Sequence, residues 1–338
     1  MELSPFWIRA AALSGRLDLS AFVRDQLDPS TLSARPGELV RRGVRLDHAA
    51  RLCATTEAEG DPAQRGISIV DSRYPAALAG IPFAPPVLFY EGALEPLQSP
   101  MVAVVGTRRC TPEGARHARQ LSTALVRAGV VVVSGGAWGI DAEAHTAAEG
   151  STIAVLGQGL GAPRTARLRR LCDRILALGG LLLSEFPGTH PAATYTFPMR
   201  NRVVAGLSSC TVVIEAGRRS GALITARLAA EAGRDVWAVP GDPHMASRVG
   251  CLNLLSDGAR VYRNPTEVLE AIGLGSAPAA LKPTHPLLRH LHDAPSLDTL
   301  LDRTQLPLPQ LLRVLGGLQH EGLVRRDGTD RYTTAFVG

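Results

Sequence analysis

The chain has 338 residues, is 45% hydrophobic, and carries a formal net charge of +5, with 21 arginines against 17 acids in residues 61–275 and near neutrality on either side. That length exceeds one ordinary core, so two or three domains are expected. No apolar run approaches the roughly 18 residues of a membrane span, and five scattered cysteines without a CxxC pair argue for a reducing cytoplasm and against a disulfide framework or a thiolate zinc site.

The N-terminal stretch "MELSPFWIRAAALSG" lacks the basic start and long apolar segment of a signal peptide. Residues 1–60 place apolar positions at helical spacing in "FWIRAAALSG", "LSAFVRDQL" and "LDHAARLCATTEAEG", which predicts a small helical domain. A proline-rich lead-in follows, ending in a strand at Val87–Tyr90.

From residue 101 strands alternate with helices. "MVAVVG", "VVVVSG", "TIAVLG", "LLLSEF", "TVVIEA", "DVWAVPG" and "ARVYR" are the strands. Helices are expected over Pro112–Ala128, Ile140–Glu149, Ala166–Leu178, Arg200–Leu207, Gly221–Ala232 and Cys251–Leu255. The strands are continuous apolar runs, as in a parallel sheet covered on both faces. The expected fold is α/β: an extended, Rossmann-like, doubly wound and mostly parallel sheet over residues 65–272. Residues 273–285 form a small-residue and proline linker. Residues 286–338 suggest three helices and a hairpin, a winged-helix-like pattern. Its third helix sets five aliphatic residues against Arg313 alone, which favours a protein-contact or structural module over a DNA reader.

In such a sheet, ligands bind beyond the carboxyl ends of the strands. Three glycine-bearing turns lie there: Gly106-Thr107-Arg108-Arg109, Gly135-Gly136 and Gly157-Gln158-Gly159. Glycines allow close backbone approach, helix N-termini supply free amides, and arginines offer forked donors, so an anion site is expected. The only lysine, Lys282, follows no glycine-rich loop, which excludes a P-loop NTPase, and "VVGTRRCTPEG" lacks the GxGxxG of dinucleotide enzymes. Asp141 and His145 sit four apart on one helix. They read as a dipole-favoured acid and a packed histidine, with an acid–base pair as the alternative. Nothing resembles a nucleophile beside a base or a metal cluster, and no cofactor is expected. "YTFPMRNRVVAG" interleaves Tyr195 and Phe197 with Arg200 and Arg202, a pattern suited to single-stranded nucleic acid, in which bases stack on rings and arginines hold phosphates.

Together, "VVGTRR", "SGGAWGIDAEAH", "VLGQGL", "LLLSEF", "FPMRNRVVAGLS", "VVIEAGRRSGALITARLAAEAGRDVWAVPG" and "GCLNLLSDGA" resemble the DNA-processing protein A (DprA/Smf) family, nearly continuously over residues 65–272. The flanks resemble that family's layout by pattern: a sterile-alpha-motif-like helical domain and a winged-helix-like domain of the DML1 type. The resemblance implies a cytoplasmic, non-catalytic protein of natural transformation. Such a protein binds and protects incoming single-stranded DNA, loads the RecA recombinase on it, and forms homodimers through the Rossmann-like domain. It further implies that Arg108 grips a phosphate with Gly106 and Thr107, aided by Arg109. Gly135, Gly136, Ser220 and Gly221 would line the same pocket, and Phe197, Arg200, Asn201 and Arg202 would flank it. Where the family usually shows Tyr-Pro and then Asn after "GLG", this chain has Arg164, Thr165 and Leu168. A basic helix of Arg164, Arg167, Arg169 and Arg170 is expected to hold phosphates in their place. Where the family often has a basic residue just before the Phe, "HPAATYTF" offers His190.

Trp138 either stacks on a base or packs under its loop, the second being the expectation. Two rival readings remain: a nucleotide-processing phosphoribohydrolase with Glu215 as catalytic acid, against which the PGGxGT stretch is absent, and a scaffold acting through residues 286–338.

Overall fold

The computed structural model describes residues 3–54, 65–274, 287, 290–291, 295–304, 306–320, 324–327 and 331–334. Two compact units emerge, Met1–Gly275 and Ser276–Gly338.

The first unit opens with four short helices, α1 (Pro5–Ala11), α2 (Ser20–Arg24), α3 (Pro36–Arg41) and α4 (Leu46–Leu52). Proline begins α1 and α3, where its missing amide costs no helical hydrogen bond. Phe6, Trp7, Leu17, Phe22, Leu39 and Leu52 are buried in the same apolar cluster as the sheet residues Leu88 and Phe89. These helices therefore share the sheet's core.

The sheet then forms from β1 (Gly66–Ser68), α5 (Ala76–Ala79), β2 (Val87–Gly92), β3 (Met101–Gly106), α6 (Pro112–Arg127), β4 (Val131–Ser134), α7 (Ile140–Ala147), β5 (Thr152–Leu156), α8 (Ala166–Ala177), β6 (Leu181–Ser184), α9 (Thr196–Leu207), β7 (Cys210–Glu215), α10 (Ala222–Glu231), β8 (Asp235–Ala238), α11 (Val249–Ser256), β9 (Arg260–Val261) and α12 (Pro265–Ala271). The spatial order is β1-β2-β6-β5-β4-β3-β7-β8-β9. Strands β3 to β9 run parallel, while β2 and β1 add an antiparallel margin beside β6. The mostly parallel, doubly wound sheet is thus the one the apolar runs predicted; the short strand β1 was not foreseen.

Every residue of β4, β5 and β6 is buried. Alternate residues face opposite layers: Ala103, Val105, Val131 and Val133 pack with α9 and α10, whereas Val102, Val104 and Val132 pack with α6 and α7. Helix α9 starts a full turn before the expected Arg200. Pro198 falls within its first turn, where no backbone donor is needed, so it does not stop the helix.

The second unit contains α13 (Leu297–Thr304), α14 (Leu308–His320) and an antiparallel hairpin of β10 (Val324–Arg326) and β11 (Tyr332–Thr334). Leu300, Leu311, Leu315, Leu318 and Val324 form its core. The first of the three expected helices falls mostly outside the described residues.

Candidate functional site

The chain winds from β3 outward through β4, β5 and β6, then returns to the other side of β3 with β7. The carboxyl ends of β3 and β7 therefore flank the point at which the winding reverses, where side-by-side turns diverge and leave a crevice. A cavity of about 500 Å³ occupies it. Gly106, Thr107, Arg108 and Arg109 line it from the β3 end, Arg219, Ser220 and Gly221 from the β7 end, and Phe197, Arg200 and Asn201 from α9. Gly135 lines it as well.

Arg108, Arg109 and Arg219 are exposed, and among the described residues none has a carboxylate partner. The Arg108 guanidinium lies 5.5 Å from the centre of the Phe197 ring. Gly221 caps α10, and its carbonyl accepts from Asn201 Nδ2 at 3.2 Å; the first amides of the helix are taken up within the turn, Leu223 N by the Ser220 carbonyl and Ile224 N by the Gly221 carbonyl. Unneutralised arginines and an aromatic face together suit a phosphate with an attached planar group.

The glycine turn behind this cavity is built differently from a simple phosphate cradle. The Asp141 carboxylate accepts the amides of Gly135 and Ala137, both at 3.2 Å. The chain thus supplies its own anion to these two donors. Burial raises the Asp141 pKa, opposed by the Arg200 charge and these amides. Gly135 is required because a Cβ there would collide with the guanidinium of Arg200. His145 does not pair with Asp141. Thr152 Oγ1 donates to the Val132 carbonyl at 2.7 Å, so it accepts from His145 Nδ1–H, also at 2.7 Å. Burial, then the Arg200 charge, pushes the His145 pKa down to about 3.

The expected arginines divide between two roles. Arg200 is buried and one terminal nitrogen donates to the carbonyls of Gly135 and Val155, so it backs the cavity and ties two strand ends together. Arg202 is absent from the cavity lining; it pairs with the fully buried Glu185 and donates to Ser14 Oγ at 3.2 Å, fastening the segment after α1 to the sheet. Arg164 precedes α8 and pairs with Glu91 at 3.1 Å, its side chain only 12% exposed, so the basic helix expected from Arg164 onward starts with Arg167. Arg167, Arg169 and Arg170 are exposed on α8. Gly136, at φ +65°, packs towards Leu156 and stays outside the cavity. Trp138 does not pack beneath its loop: it is 50% exposed.

Glu215 is fully buried and faces away from the cavity. Its Oε2 accepts both the amide and hydroxyl of Thr111 at 3.0 Å, under the start of α6. Arg219 went unremarked in the sequence, although it stands one residue before the singled-out Ser220. Arg248 was missed too: 1% exposed, it donates to the Ile214 carbonyl and bridges to Glu113 at 3.0 Å. No local pattern distinguishes such a buried arginine from a surface one.

A doubly wound sheet with an arginine-lined cavity at its reversal point defines a Rossmann-like α/β protein with a basic crevice. More particularly, the chain belongs to the family of the DNA recombination-mediator protein A, whose model matches residues 65–273. It is 45% identical over 210 residues to protein Smf of Synechocystis, covering 60% of this chain and 52% of that one. To DNA processing protein DprA of Streptococcus pneumoniae it is 44% identical over 206 residues, covering 60% and 72%. Protein Smf of Escherichia coli is 40% identical over 249 residues, covering 72% and 63%. The chain thus aligns with about half to two thirds of the two Smf proteins. An X-ray structure of the Streptococcus pneumoniae protein superposes with a TM-score of 0.67 at 33% identity, covering 80% of this chain and 98% of that one. A structure of DNA processing protein A from Helicobacter pylori, described in terms of its single-stranded DNA binding mode, gives 0.57 at 28% identity, covering 62% and 96%.

Proposed function

We propose that this protein binds single-stranded DNA in the cavity between the β3 and β7 ends and acts as a recombination mediator, protecting the strand and loading the RecA recombinase on it during natural transformation. The observation that carries the reading is the convergence of Arg108, Arg109 and Arg219, all without carboxylate partners among the described residues, on a space walled by Phe197 and the α10 start. Phosphate oxygens supply the missing negative charge, and a base sits against the ring. Membership of the recombination-mediator family supports the same reading. Gly106, Thr107, Ser220 and Gly221 offer close backbone approach, Asn201 steadies the α10 cap, and Gly135 with Arg200 forms the rear wall. The protein works as a non-catalytic homodimer joined through the sheet unit in the cytoplasm, and the C-terminal unit serves protein contact. Phosphoribohydrolase chemistry finds no support here, because the Glu215 carboxylate is held under α6 rather than in the cavity.

Titration of labelled oligo-dT tests the proposal. Affinity for single strands is expected to exceed that for duplex and to fall with salt as counterions are released. Arg108→Ala weakens binding severely, while Arg313→Ala leaves it intact. Equal oligo-dT affinity without Arg108 would remove the cavity from consideration, and release of a free base from a nucleoside monophosphate would reinstate the enzyme.

A further inference from the structure

Of the three tryptophans, Trp7 and Trp237 are 5% and 2% exposed, whereas Trp138 is 50% exposed. The turn between β4 and α7 carries it outward, and the Arg167 guanidinium of α8 lies 4.3 Å from its ring centre. A second hollow of about 550 Å³ surrounds this pair. Arg170 and Arg174 line it one and two turns further along α8, at the i+3 and i+7 spacing that keeps side chains on one face. Arg108 and Arg109 close its other side and line the first cavity as well.

Five arginines thus face one hollow against a single acid, Glu143, whose carboxylate is already engaged by Arg119. Among the described residues none of the five has a carboxylate partner. Such a cluster repels itself and is relieved by an anionic chain. The half-exposed indole narrows the choice of chain. A duplex keeps its bases stacked inside and cannot present one to Trp138. An acidic peptide satisfies the arginines but has no planar group at regular spacing for the ring. A single strand offers both, a phosphate on every nucleotide and an unstacked base beside it.

We propose that the Trp138 groove is a second nucleotide subsite, continuous with the first cavity through Arg108 and Arg109. A base stacks on the Trp138 ring opposite or beside Arg167, and the following phosphates lie along Arg170 and Arg174. The inference rests on the single-stranded DNA reading of the first cavity and extends the path of the strand across the face of α8. It also gives α8 a role in a chain where Arg164 is tied to Glu91.

Tryptophan fluorescence of the 338-residue chain reports on the groove, because Trp138 alone of the three is exposed. Long oligo-dT is expected to quench the emission and shield it from acrylamide, and the dinucleotide dTpdT, which fills one cavity only, to do so far less. Trp138→Ala should weaken long oligo-dT about tenfold, with most affinity restored in Trp138→Phe. In the double variant Arg170→Ala, Arg174→Ala, the loss should be larger for the long strand than for dTpdT. The inference is overturned if long oligo-dT binds with Arg108-dependent affinity while the emission and the affinities of these variants stay unchanged. It is overturned also if poly-glutamate or duplex displaces the strand from the groove at equal concentration. Failure of the underlying reading has a different signature: no binding of oligo-dT, or binding indifferent to Arg108→Ala.

Discussion

The Asp141 carboxylate lies 3.2 Å from the Gly135 amide, and the carbonyl of that same glycine accepts from Arg200. One peptide-rich turn is thereby held between a buried acid and a buried base from α7 and α9. Removing the acid strands two amides and takes away the larger of the two carboxylate charges, Asp141 and Glu185, that favour the buried Arg200 cation. Asp141→Ala is expected to cost about 3 kcal/mol, and Asp141→Asn, which keeps an acceptor oxygen, about 1 kcal/mol. Urea unfolding midpoints measure both, and a negligible loss from both variants would show that the carboxylate does not organise the turn.

Arg108 and Arg202 have opposite surroundings that the sequence does not reveal. The first is exposed and has no carboxylate partner among the described residues, whereas the second is joined to the fully buried Glu185 and to Ser14. Glu185→Ala strands Arg202 and should cost about 3–5 kcal/mol, and a retained oligo-dT affinity at low temperature is expected. Arg108→Ala should leave the thermal midpoint in place and remove the affinity. Thermal unfolding run beside oligo-dT titration separates the two, and a reversed pattern would exchange the roles assigned here.

The sheet was legible in the sequence because β4, β5 and β6 are buried on both faces and so read as unbroken apolar runs. The glycine turns and Arg108 were legible for the same reason, since strand ends locate the crevice. Which arginine is free was not. Arg108, Arg164, Arg200 and Arg202 look alike in a chain with one lysine, and their fates depend on Glu91, Glu185 and the strand-end carbonyls, each brought close only by the fold. Nothing in the sequence around Trp138 separates a buried indole from an exposed one, so packing under its loop is the wrong expectation. The turn instead aims it at α8, and Arg167 covers part of the ring.

His145 gives the fold a dependence on acid. Its pKa is pushed down to about 3 from an ordinary 6.5, mainly by burial. The unfolded chain therefore takes up a proton below about pH 6.5 that the folded chain refuses until about pH 3, so stability is complete above this window and declines as pH falls through it. The loss attributable to this residue is about 2 kcal/mol at pH 5. Asp141 and Glu185, raised by burial, work in the opposite sense, since the fold retains their protons at pH values where the unfolded chain has released them. Comparing the chain with His145→Gln isolates the histidine: the difference in unfolding free energy between pH 7 and pH 5 should shrink in the variant. An unchanged difference would mean that the imidazole titrates normally.

Gly139 seats the start of α7 on the turn that carries Arg108. It adopts φ +80° and ψ −128°, and a Cβ there would collide with the Thr107 carbonyl and the Arg108 backbone. The next amide, Ile140 N, donates to that Thr107 carbonyl at 3.2 Å, so the start of α7 is seated directly on the turn that carries Arg108. Gly139→Ala must push these two turns apart, with a cost of about 2–3 kcal/mol and a displaced Arg108. Gly129 is the matched control: its φ is +76°, yet among the described residues nothing lies within 4 Å of the added carbon. Gly129→Ala should therefore cost about 1 kcal/mol of backbone strain and leave oligo-dT affinity unchanged. Were both variants to lose the same stability and neither to lose affinity, the seating of α7 on the Thr107 carbonyl would have no part in placing Arg108.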